Sequence, residues 1–404
     1  MVIGAGQAGL ATSHELSLAG IDHVVIERDR VGASWAGLWD SFRLNTPSWS
    51  TRLPGMAYGG DEPDGFMSKA EIVGYLERYR SSSSAPVTEG VDVVALERRD
   101  GGFELETSQG PKSARSVVVC SGAYQRAFRP PGAGDIPADL VTLDTRSYRT
   151  PEIIPDGAVL VVGSGQSGCQ IAEELCDAGR KVFLSCGKAP WTPRRIGGHD
   201  TVWWALETGF MNGTADSLPH PAAKFAANIT TSGVGGGHDL HLRSLRTKGV
   251  TLTGRFAAFE DGEIRFADDL ADSVAWGDDR YREFRQRIQG LCAERGIAQP
   301  ALPDPEPFEA QAPTSIEVSA IGSVIFSGGF RPDYSWVKVP DVVDPMGFPQ
   351  QVDGASTVAP GLFFAGVHFL RTRKSSLLCG VGEDATVVAA GVAQHLAGAK
   401  PRPT

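Results

Sequence analysis

The stretch Gly4-Ala5-Gly6-Gln7-Ala8-Gly9 directly follows the short apolar run Met1-Val2-Ile3. A second stretch of the same form, Gly163-Ser164-Gly165-Gln166-Ser167-Gly168, follows the apolar run Ala158–Val162. Each stretch opens a segment with helical periodicity. Strand, glycine turn and helix in this order are typical of dinucleotide-binding units, in which the phosphates lie on the helix N-terminus. The sequence therefore predicts an α/β protein with two dinucleotide-binding, Rossmann-like domains.

The residues that follow the second strand of each unit differ between the two units. Glu27 comes about twenty residues after the first glycine turn, where a carboxylate can bind both ribose hydroxyls. The second unit has no acid there, because its strand ends at Ser185 and is followed by Lys188 and Arg194. A carboxylate would repel a 2′-phosphate, whereas a hydroxyl and basic side chains attract one, so the second dinucleotide is predicted to be NADPH rather than NADH. The alternative is that the basic residues are ordinary solvated charges.

The composition favours a large protein with an acidic surface. The chain has 404 residues, of which 41% are hydrophobic and 21% charged, and its formal net charge is −10. That length predicts two domains or one interrupted domain. The acidic balance argues against nucleic acid or an anionic membrane as a partner, and no run reaches the roughly 18 apolar residues of a membrane span. Since no signal peptide is recognisable at the start, we expect a cytoplasmic protein.

The cysteines do not form a recognisable functional pattern. The six of them include no C-x-x-C pair and no Cys/His cluster with zinc spacing. We interpret them as reduced thiols, most of them small core residues, and we predict no metal site.

The order of the remaining patterns predicts that the second unit is inserted into the first. We predict one domain from residues 1–150 and 321–404 and another from residues 151–320, with a crossover over residues 125–155. Each is expected to be a three-layer ββα domain. Other predicted elements are a capped helix from Ser68, a β-meander over 91–107, a helix near 280–295, strands returning to the first domain at 321–326 and 362–365, and a closing helix over 379–396.

Further short motifs follow the two glycine patterns along nearly the whole chain. They are Glu27-Arg28, Val31-Gly32-Ala33-Ser34-Trp35, Arg43-Leu44-Asn45-Thr46-Pro47, Cys120-Ser121-Gly122, Gly328-Gly329-Phe330-Arg331-Pro332 and Gly380-Val381-Gly382-Glu383-Asp384-Ala385. With these motifs in this order, the chain resembles the FAD- and NADPH-dependent flavin-containing monooxygenases. It is most similar to bacterial flavoproteins labelled as involved in potassium transport and to plant flavin monooxygenases of auxin synthesis. The motifs are specific for fold and cofactors and not for substrate.

The resemblance implies which residues hold the two cofactors. For FAD these are Gly4, Gly6, Gln7, Ala8, Gly9, Glu27, Arg28, Trp35, Asn45, Thr46, Val93, Gly122 and Gly366. For NADPH they are Gly163, Gly165, Gln166, Ser167 and Gly168, to which the charge argument adds Ser185, Lys188 and Arg194. Asn45 is also a catalytic candidate, because an amide can donate a hydrogen bond to an oxygenated flavin without being a strong acid. A turn before Pro47 is its alternative role.

The sequence departs from the family in the link between the domains. There the family has a histidine followed four residues later by an aromatic residue. Tyr148 supplies the aromatic residue, but Asp144 stands at the histidine position, and Ala138 and Leu140 replace an expected phenylalanine and glycine. The Baeyer–Villiger version of the motif is absent as well. Asp144 is therefore the second catalytic candidate, and ketone oxygenation is the least expected reaction.

The resemblance implies an NADPH-dependent FAD monooxygenase. Such an enzyme transfers one oxygen atom from O2 to a nitrogen, sulfur or carbon atom of a small organic substrate through a C4a-(hydro)peroxyflavin. The alternative is an oxidase or reductase that passes electrons to O2, a quinone or a protein, and a third hypothesis is a nucleotide-sensing role beside an ion transporter. A small molecule and O2 are the expected partners, without nucleic acid or membrane. The oligomeric state stays open, a homodimer included.

Three further features have two interpretations each. Trp203-Trp204 either line a substrate entrance or pack in the interior. His199-Asp200 and His238-Asp239 are either acid–base pairs or turn residues. The basic residues of the segment 371–374 either face a cofactor or belong to a solvated loop.

Overall fold

The computed structural model describes residues 1–122 and 124–398, so residues 399–404 of the predicted first domain lie outside it. The strands among these residues are β1 (Val2–Ile3), β2 (Val25–Ile26), β3 (Arg52–Leu53), β4 (Met56–Ala57), β5 (Val87–Thr88), β6 (Val93–Arg99), β7 (Gly102–Thr107), β8 (Lys112–Ala114), β9 (Val117–Val119), β10 (Arg126–Ala127), β11 (Val141–Asp144), β12 (Ala158–Val162), β13 (Val182–Ser185), β14 (Arg195–Ile196), β15 (His199–Asp200), β16 (Thr251–Thr253), β17 (Phe256–Glu260), β18 (Glu263–Phe266), β19 (Ser315–Glu317), β20 (Ile321–Phe326), β21 (Phe330–Arg331), β22 (Gln351–Val352), β23 (Ala355–Ser356) and β24 (Leu362–Phe364). The α-helices are α1 (Gln7–Leu18), α2 (Ala33–Ala36), α3 (Lys69–Ser82), α4 (Gln166–Asp177), α5 (Thr201–Glu207), α6 (Leu242–Lys248), α7 (Leu270–Arg295) and α8 (Val381–Gly398).

The first large sheet has the strand order β22-β23-β24-β9-β1-β2-β5. The strands from β24 to β5 run parallel, and β22 and β23 form an antiparallel hairpin at one edge. Because β1 lies between β2 and β9, the chain order reverses at β1. In open α/β sheets a ligand binds at the carboxyl ends of the strands next to such a reversal, which is where the first glycine turn lies.

The second large sheet repeats this arrangement with the order β11-β20-β12-β13-β16, all in parallel. Its central strand β12 is buried along its whole length, as expected for a parallel strand with both faces covered. The reversal of chain order now falls at β12, directly before the second glycine turn.

Each large sheet lies between a layer of helices and a smaller antiparallel sheet. In the first unit, one core joins the sheet to α1, α3 and α8, and another joins its opposite face to the meander β6-β7-β8. In the second unit, α4 and α6 cover one face and the sheet β17-β18-β19 covers the other. This confirms two three-layer ββα folds. Within the described residues, no helix is long and apolar enough to cross a membrane.

The helix boundaries confirm the predicted cap at Ser68 and extend the helix predicted near 280–295. Helix α3 starts after Ser68, whose Oγ accepts from the Glu71 amide while the Glu71 carboxylate accepts from the Ser68 amide at 2.7 Å. Helix α7 starts ten residues earlier than the predicted 280–295. Gly277 lowers the helix propensity of the early part of α7, so the sequence pattern does not predict it. A Cβ at this position would lie 2.9 Å from the Ala189 carbonyl oxygen, and close packing therefore requires glycine here.

The strand Ile321–Phe326 was predicted to return to the first domain, and this prediction is wrong. It pairs with β11 and β12 in the second sheet. A short, fully buried apolar strand fits the middle of either parallel sheet, so its composition does not specify its neighbours. The strand at Leu362–Phe364 does join the first sheet, beside β9. The division into residues 1–150 with 321–404 and residues 151–320 itself stays a prediction.

Candidate functional site

The first glycine turn connects β1 to α1 and has no room for side chains at two of its glycines. Gly4 has φ +100°, and a Cβ there would lie 2.6 Å from the Cys120 carbonyl oxygen. A Cβ on Gly9 would lie 1.8 Å from the Gly4 carbonyl oxygen, which shows how closely α1 approaches the turn. Gly6 has no neighbouring atom within 4 Å of its Cβ position. The backbone at Gly6 is therefore open to a ligand, as pyrophosphate binding requires.

The N-terminus of α1 offers unpaired backbone donors to that ligand. Gly6 is the N-cap residue and provides no side-chain cap, so the first amides of the helix have no partner within it. Glu27 lies beside the turn, because its two carboxylate oxygens accept from the backbone amides of Ala5 at 2.7 Å and Asp29 at 3.0 Å. Each oxygen keeps a lone pair for a hydroxyl donor. These groups fit the pyrophosphate and ribose of a dinucleotide such as FAD.

The second glycine turn has nearly the same geometry. Gly163 has φ +110° and a Cβ position 2.6 Å from the Ser327 carbonyl oxygen, and a Cβ on Gly168 would lie 1.8 Å from the Gly163 carbonyl oxygen. Gly165 is the uncapped N-cap of α4, and the nearest atom to its Cβ position is the Ala227 methyl at 3.5 Å. The backbone amides of Gln166, Ser167 and Gly168 have no acceptor within the helix and therefore fit a second pyrophosphate.

Two of the residues predicted to hold the 2′-phosphate are buried and already paired. Ser185 is 2% exposed, and its hydroxyl donates to the Gly254 carbonyl and accepts from the Phe256 amide. Arg194 is 1% exposed and forms an ion pair with Asp200 at 2.9 Å. The predicted contacts of Ser185 and Arg194 with a nucleotide therefore lack support in the structure. Lys188 is exposed beyond the end of β13 and can reach an anion there.

The remaining residues predicted for FAD lie around the carboxyl edge of the first sheet or beside α1. Trp35 donates its Nε1–H to the Gln7 side-chain oxygen at 3.1 Å, and Gln7 donates to the Ser376 carbonyl at 3.2 Å. Arg28 is exposed and paired with Asp29. The others, apart from Asn45, are Ala8, buried in α1, Thr46, next to Asn45 and half-buried, Val93 at the start of β6, and Gly122 and Gly366, which follow β9 and β24.

Asn45 connects the first unit to the helix of the second glycine turn. Its side-chain oxygen Oδ1 accepts from Gln170 Nε2 at 2.9 Å, and Gln170 lies on α4 one turn after Gln166. Gln166 is itself held at both ends of its amide by the Thr231 backbone. Asn45 is therefore engaged across the two units rather than in a turn before Pro47. The sequence contained no signal for Gln170 apart from its position one turn beyond the glycine pattern.

Asp144 does not have the surroundings of a reacting group. It ends β11, and both of its carboxylate oxygens accept from the Arg129 guanidinium, at 2.9 and 3.0 Å. Such a bidentate pair favours a structural role for this carboxylate. The prediction that Asp144 is catalytic gains no support from the structure. Nearby Tyr148 is fully buried and donates its hydroxyl to Glu174 at 2.8 Å.

A cavity of about 450 Å³ lies where residues of both units meet. Its lining residues are Trp49, Asp64, Arg195, Gly198, His199, Asp200 and Trp203. The rings of His199 and Trp203 stack with centroids 4.0 Å apart. Trp204 is buried and donates to the Ile196 carbonyl at 2.9 Å. Each tryptophan of the pair thus fits one of the two interpretations, since Trp203 lines a cavity and Trp204 packs in the interior.

In neither His-Asp pair do the histidine and the aspartate act together as acid and base, because the two side chains contact different partners. Asp200 accepts from the Val202 amide as the N-cap of α5 and is paired with Arg194. Burial lowers the pKa of Arg194 to about 10, which leaves the guanidinium charged at neutral pH. His238 contacts Glu173 at 2.9 Å, while Asp239 accepts from the Arg194 amide.

The basic residues of the segment 371–374 are neutralised or stacked rather than directed at a cofactor. Arg371 contacts Asp353 at 3.0 Å, and Lys374 contacts Glu383 at 2.7 Å. The guanidinium of Arg373 lies 4.3 Å from the centre of the Phe210 ring. In the described part of the chain, no group of three or more His, Cys, Asp or Glu side chains could hold a metal ion.

The fold and the two glycine turns define a protein of the dinucleotide-binding class. Residues 1–201 match the pyridine nucleotide-disulphide oxidoreductase family. An uncharacterized CzcO-like oxidoreductase of Geobacillus kaustophilus is 31% identical over 397 residues, which cover 98% of both chains. Flavin-containing monooxygenase 1 of Sus scrofa is 27% identical over 247 residues, 54% of this chain and 46% of its own. The chain belongs to the CzcO-like oxidoreductases, a group of flavoproteins similar to flavin-containing monooxygenases, which confirms the resemblance seen in the sequence.

Comparison with solved structures agrees with the observed fold. A flavin-containing monooxygenase from Stenotrophomonas maltophilia superposes with a TM-score of 0.70 at 19% identity, over 98% of each chain. This agreement confirms two Rossmann-type domains in one chain.

Gly9→Ala tests whether the first turn depends on the contact between α1 and Gly4. The added methyl group would collide with the Gly4 carbonyl oxygen, so we expect the free energy of unfolding to fall by about 2 kcal/mol or more. Urea denaturation measures this change. Gly290→Ala is the matched control, because that glycine is exposed in α7 with open space around it, and alanine there should raise stability by about 0.5–1 kcal/mol. Equal stability of Gly9→Ala and wild type would contradict the geometry.

His238→Gln tests the contact between His238 and Glu173. The hydrogen bond to Glu173 raises the pKa of His238 above 6.5, and although burial raises the pKa of Glu173, the bonds from His238 and Lys248 leave it below 4.5. The stabilisation that His238 contributes to the folded state is thus complete below pH 6.5 and is lost as the pH rises through the folded-state pKa of His238. The stabilisation that Glu173 contributes is lost as the pH falls through the folded-state pKa of Glu173. We expect the stability difference between wild type and His238→Gln, measured by urea denaturation, to be larger at about pH 5.5 than at about pH 8.5. The exposed His220→Gln should show no such trend, and a difference that grows with pH would oppose this account.

Proposed function

We propose that this protein is an NADPH-dependent FAD monooxygenase that transfers one oxygen atom from O2 to a small organic substrate. The observation that carries the proposal is the hydrogen bond between Gln170 and Asn45. It joins the helix that starts at the second glycine turn to a loop of the first unit. The helix that would hold the nicotinamide dinucleotide thus contacts the loop that would lie beside the flavin, as transfer of electrons between the two cofactors would require.

The first glycine turn is the proposed FAD site. The amides at the start of α1 would hold the pyrophosphate, and Glu27 would bind the ribose. The Trp35 indole, held by Gln7, would lie along the ring system together with Asn45. When bound, the flavin supplies the chemistry of accepting hydride and activating O2. The protein contributes orientation, hydrogen bonds and exclusion of water, the last of these from the aromatic loop between Trp35 and Trp49.

The second glycine turn is the proposed NADPH site. The uncapped start of α4 would hold the pyrophosphate, and Lys188 is the basic side chain left exposed after the strand β13. Arg194 has a different role in this proposal. Its buried pair with Asp200 and its bond to Thr231 at 2.8 Å keep the segment that covers α4 in place.

The cavity between the two units is the proposed substrate site. Trp49 and Asp64 come from the first unit, and residues from Arg195 to Trp203 come from the second. Its volume lies within the roughly 300–1,000 Å³ of small-molecule sites. The rings of Trp49, His199 and Trp203 share its wall with the charged side chains of Asp64, Arg195 and Asp200. Flat or sulfur-containing organic molecules suit the aromatic part of this wall.

A disulfide-reducing function finds less support than oxygenation. Burial raises the thiol pKa of Cys120 and of Cys169 to about 12, so neither is a reactive thiolate at neutral pH. All six cysteines are free, and five of them are buried. Transfer of electrons to O2 or a quinone is the competing function.

The function is tested with the purified protein reconstituted with FAD. We expect a yellow protein that oxidises NADPH and, under 18O2, places one labelled atom in a substrate such as methyl phenyl sulfide. Release of one hydrogen peroxide per NADPH with every substrate tried would favour the oxidase instead. A protein that cannot be loaded with flavin would overturn the proposal.

Lys188→Met tests the preference for NADPH. Removal of a charge that contacts the 2′-phosphate should raise KM for NADPH about tenfold and leave KM for NADH unchanged. Steady-state kinetics with both nucleotides measure this, and Lys112→Met, in the meander of the first unit, is the matched control. An unchanged KM for NADPH in Lys188→Met would show that the basic side chain is only a solvated charge.

Trp203→Ala tests the substrate cavity. Loss of the ring that stacks on His199 should raise KM for methyl phenyl sulfide about tenfold, because a large apolar contact is removed. The rate of flavin reduction by NADPH, followed anaerobically by stopped flow, should not change. Trp276→Ala, on α7 and outside the cavity, is the control. Equal KM values for Trp203→Ala and wild type would remove the cavity from the proposal.

A further inference from the structure

We propose that Gln170 is a positioning residue that determines which end of the Asn45 amide faces the flavin site. This inference rests on the proposed function, and it concerns a residue to which no sequence motif assigns a role. An amide group has a donor end and an acceptor end of nearly the same shape. Which end faces a ligand is therefore decided by the partner that binds the other end.

The contact with Gln170 engages the acceptor end of Asn45. Gln170 Nε2 donates to Asn45 Oδ1 at 2.9 Å. No other hydrogen bond of the Asn45 side chain exists among the described residues, so both hydrogens on Nδ2 stay free for a ligand. Gln170 is 6% exposed, and water therefore offers little competition for its bond.

The backbone on both sides of this contact is held in place. Gln166, one turn earlier on α4, is bonded at both ends of its amide to the Thr231 backbone. Gly233, two residues after Thr231, packs so closely against the first unit that a Cβ on it would lie 2.3 Å from the Leu44 carbonyl oxygen. Leu44 precedes Asn45, so the loop that fixes α4 also supports the backbone that carries Asn45.

The orientation has a chemical consequence for oxygen activation. An N–H donor directed at a site where negative charge develops on oxygen stabilises that charge, whereas a carbonyl oxygen in the same place repels it. A variant in which the Asn45 amide has the opposite orientation would still hold FAD and NADPH in their sites. It would lose the donor and release hydrogen peroxide instead of oxygenating its substrate.

Gln170→Glu is the variant that reverses the amide. An ionised carboxylate only accepts, so it would bind Asn45 Nδ2 and turn Oδ1 toward the flavin site. A protonated carboxyl group can donate to Oδ1 and restore the original orientation. Because burial raises the pKa of such a carboxyl group, its protonated form should be regained on mild acidification. Gln170→Met removes the donor without reversing the amide and is the second variant, should the glutamate variant fold poorly.

The measurement is hydrogen peroxide formed per NADPH with methyl phenyl sulfide, from about pH 6 to about pH 9. We expect Gln170→Glu to release about tenfold more peroxide than wild type at high pH and to approach wild type at low pH. Gln170→Met should lie between them without pH dependence. Gln350→Glu, which loses a donor to the Asp341 carbonyl in a distant loop, should match wild type.

A second readout does not depend on turnover. The absorption band of bound oxidised FAD in Gln170→Glu should shift with pH as residue 170 titrates, and the bands of wild type and Gln350→Glu should not. A wild-type protein that oxidises NADPH without forming sulfoxide would refute the proposed function, while the spectral titration would still test the contact. The role of Gln170 would be overturned if Gln170→Glu matched wild type at every pH both in hydrogen peroxide released per NADPH and in the absorption band of bound FAD.

Discussion

The close approach of a helix to a glycine carbonyl is the constraint on which the rest of this structure depends. Gly9 and Gly168 each lie so near the first glycine of their own turn that no side chain fits between. This approach packs α1 against β1 and α4 against β12. As a result, each helix starts at the carboxyl edge of its sheet with its unpaired amides directed outward. A site for the phosphates of a dinucleotide follows from this packing before any charged residue is considered.

The two units are joined by apolar contacts as well as by polar and aromatic ones. Trp39 of the first unit is buried in the core around α4, and Phe42 packs against the cores of both units. Arg194 is paired with Asp200 and lies 4.1 Å from the centre of the Phe66 ring, so a cation of the second unit is buried against the first. The glycine-rich loop over 232–237 packs on the same phenylalanine, and a Cβ on Gly237 would lie 2.5 Å from its ring. The contacts of Arg194 and of this loop with Phe66 are therefore expected to hold the two units in their observed relative position.

The cavity and the Asn45 contact both arise at this junction. Trp49 and Asp64 meet the segment of the second unit that contains His199 and Trp203. The stacked rings of the second unit and the side chains of Trp49 and Asp64 together enclose a cavity that neither unit provides alone. The proposed function requires such a place, because the cofactors, O2 and the substrate must meet where water is excluded.

The amino-acid sequence by itself determined the two dinucleotide folds, the capped helix after Ser68 and the position of Glu27 beside the first glycine turn. These features depend on residues near each other in the chain, and local patterns report local geometry. Only the tertiary structure decided that Ile321–Phe326 belongs to the second sheet, that Arg194 and Ser185 are buried, and that Gln170 reaches Asn45. Each of these depends on a partner far away in the sequence, and a residue type does not specify which distant partner packing will bring to it.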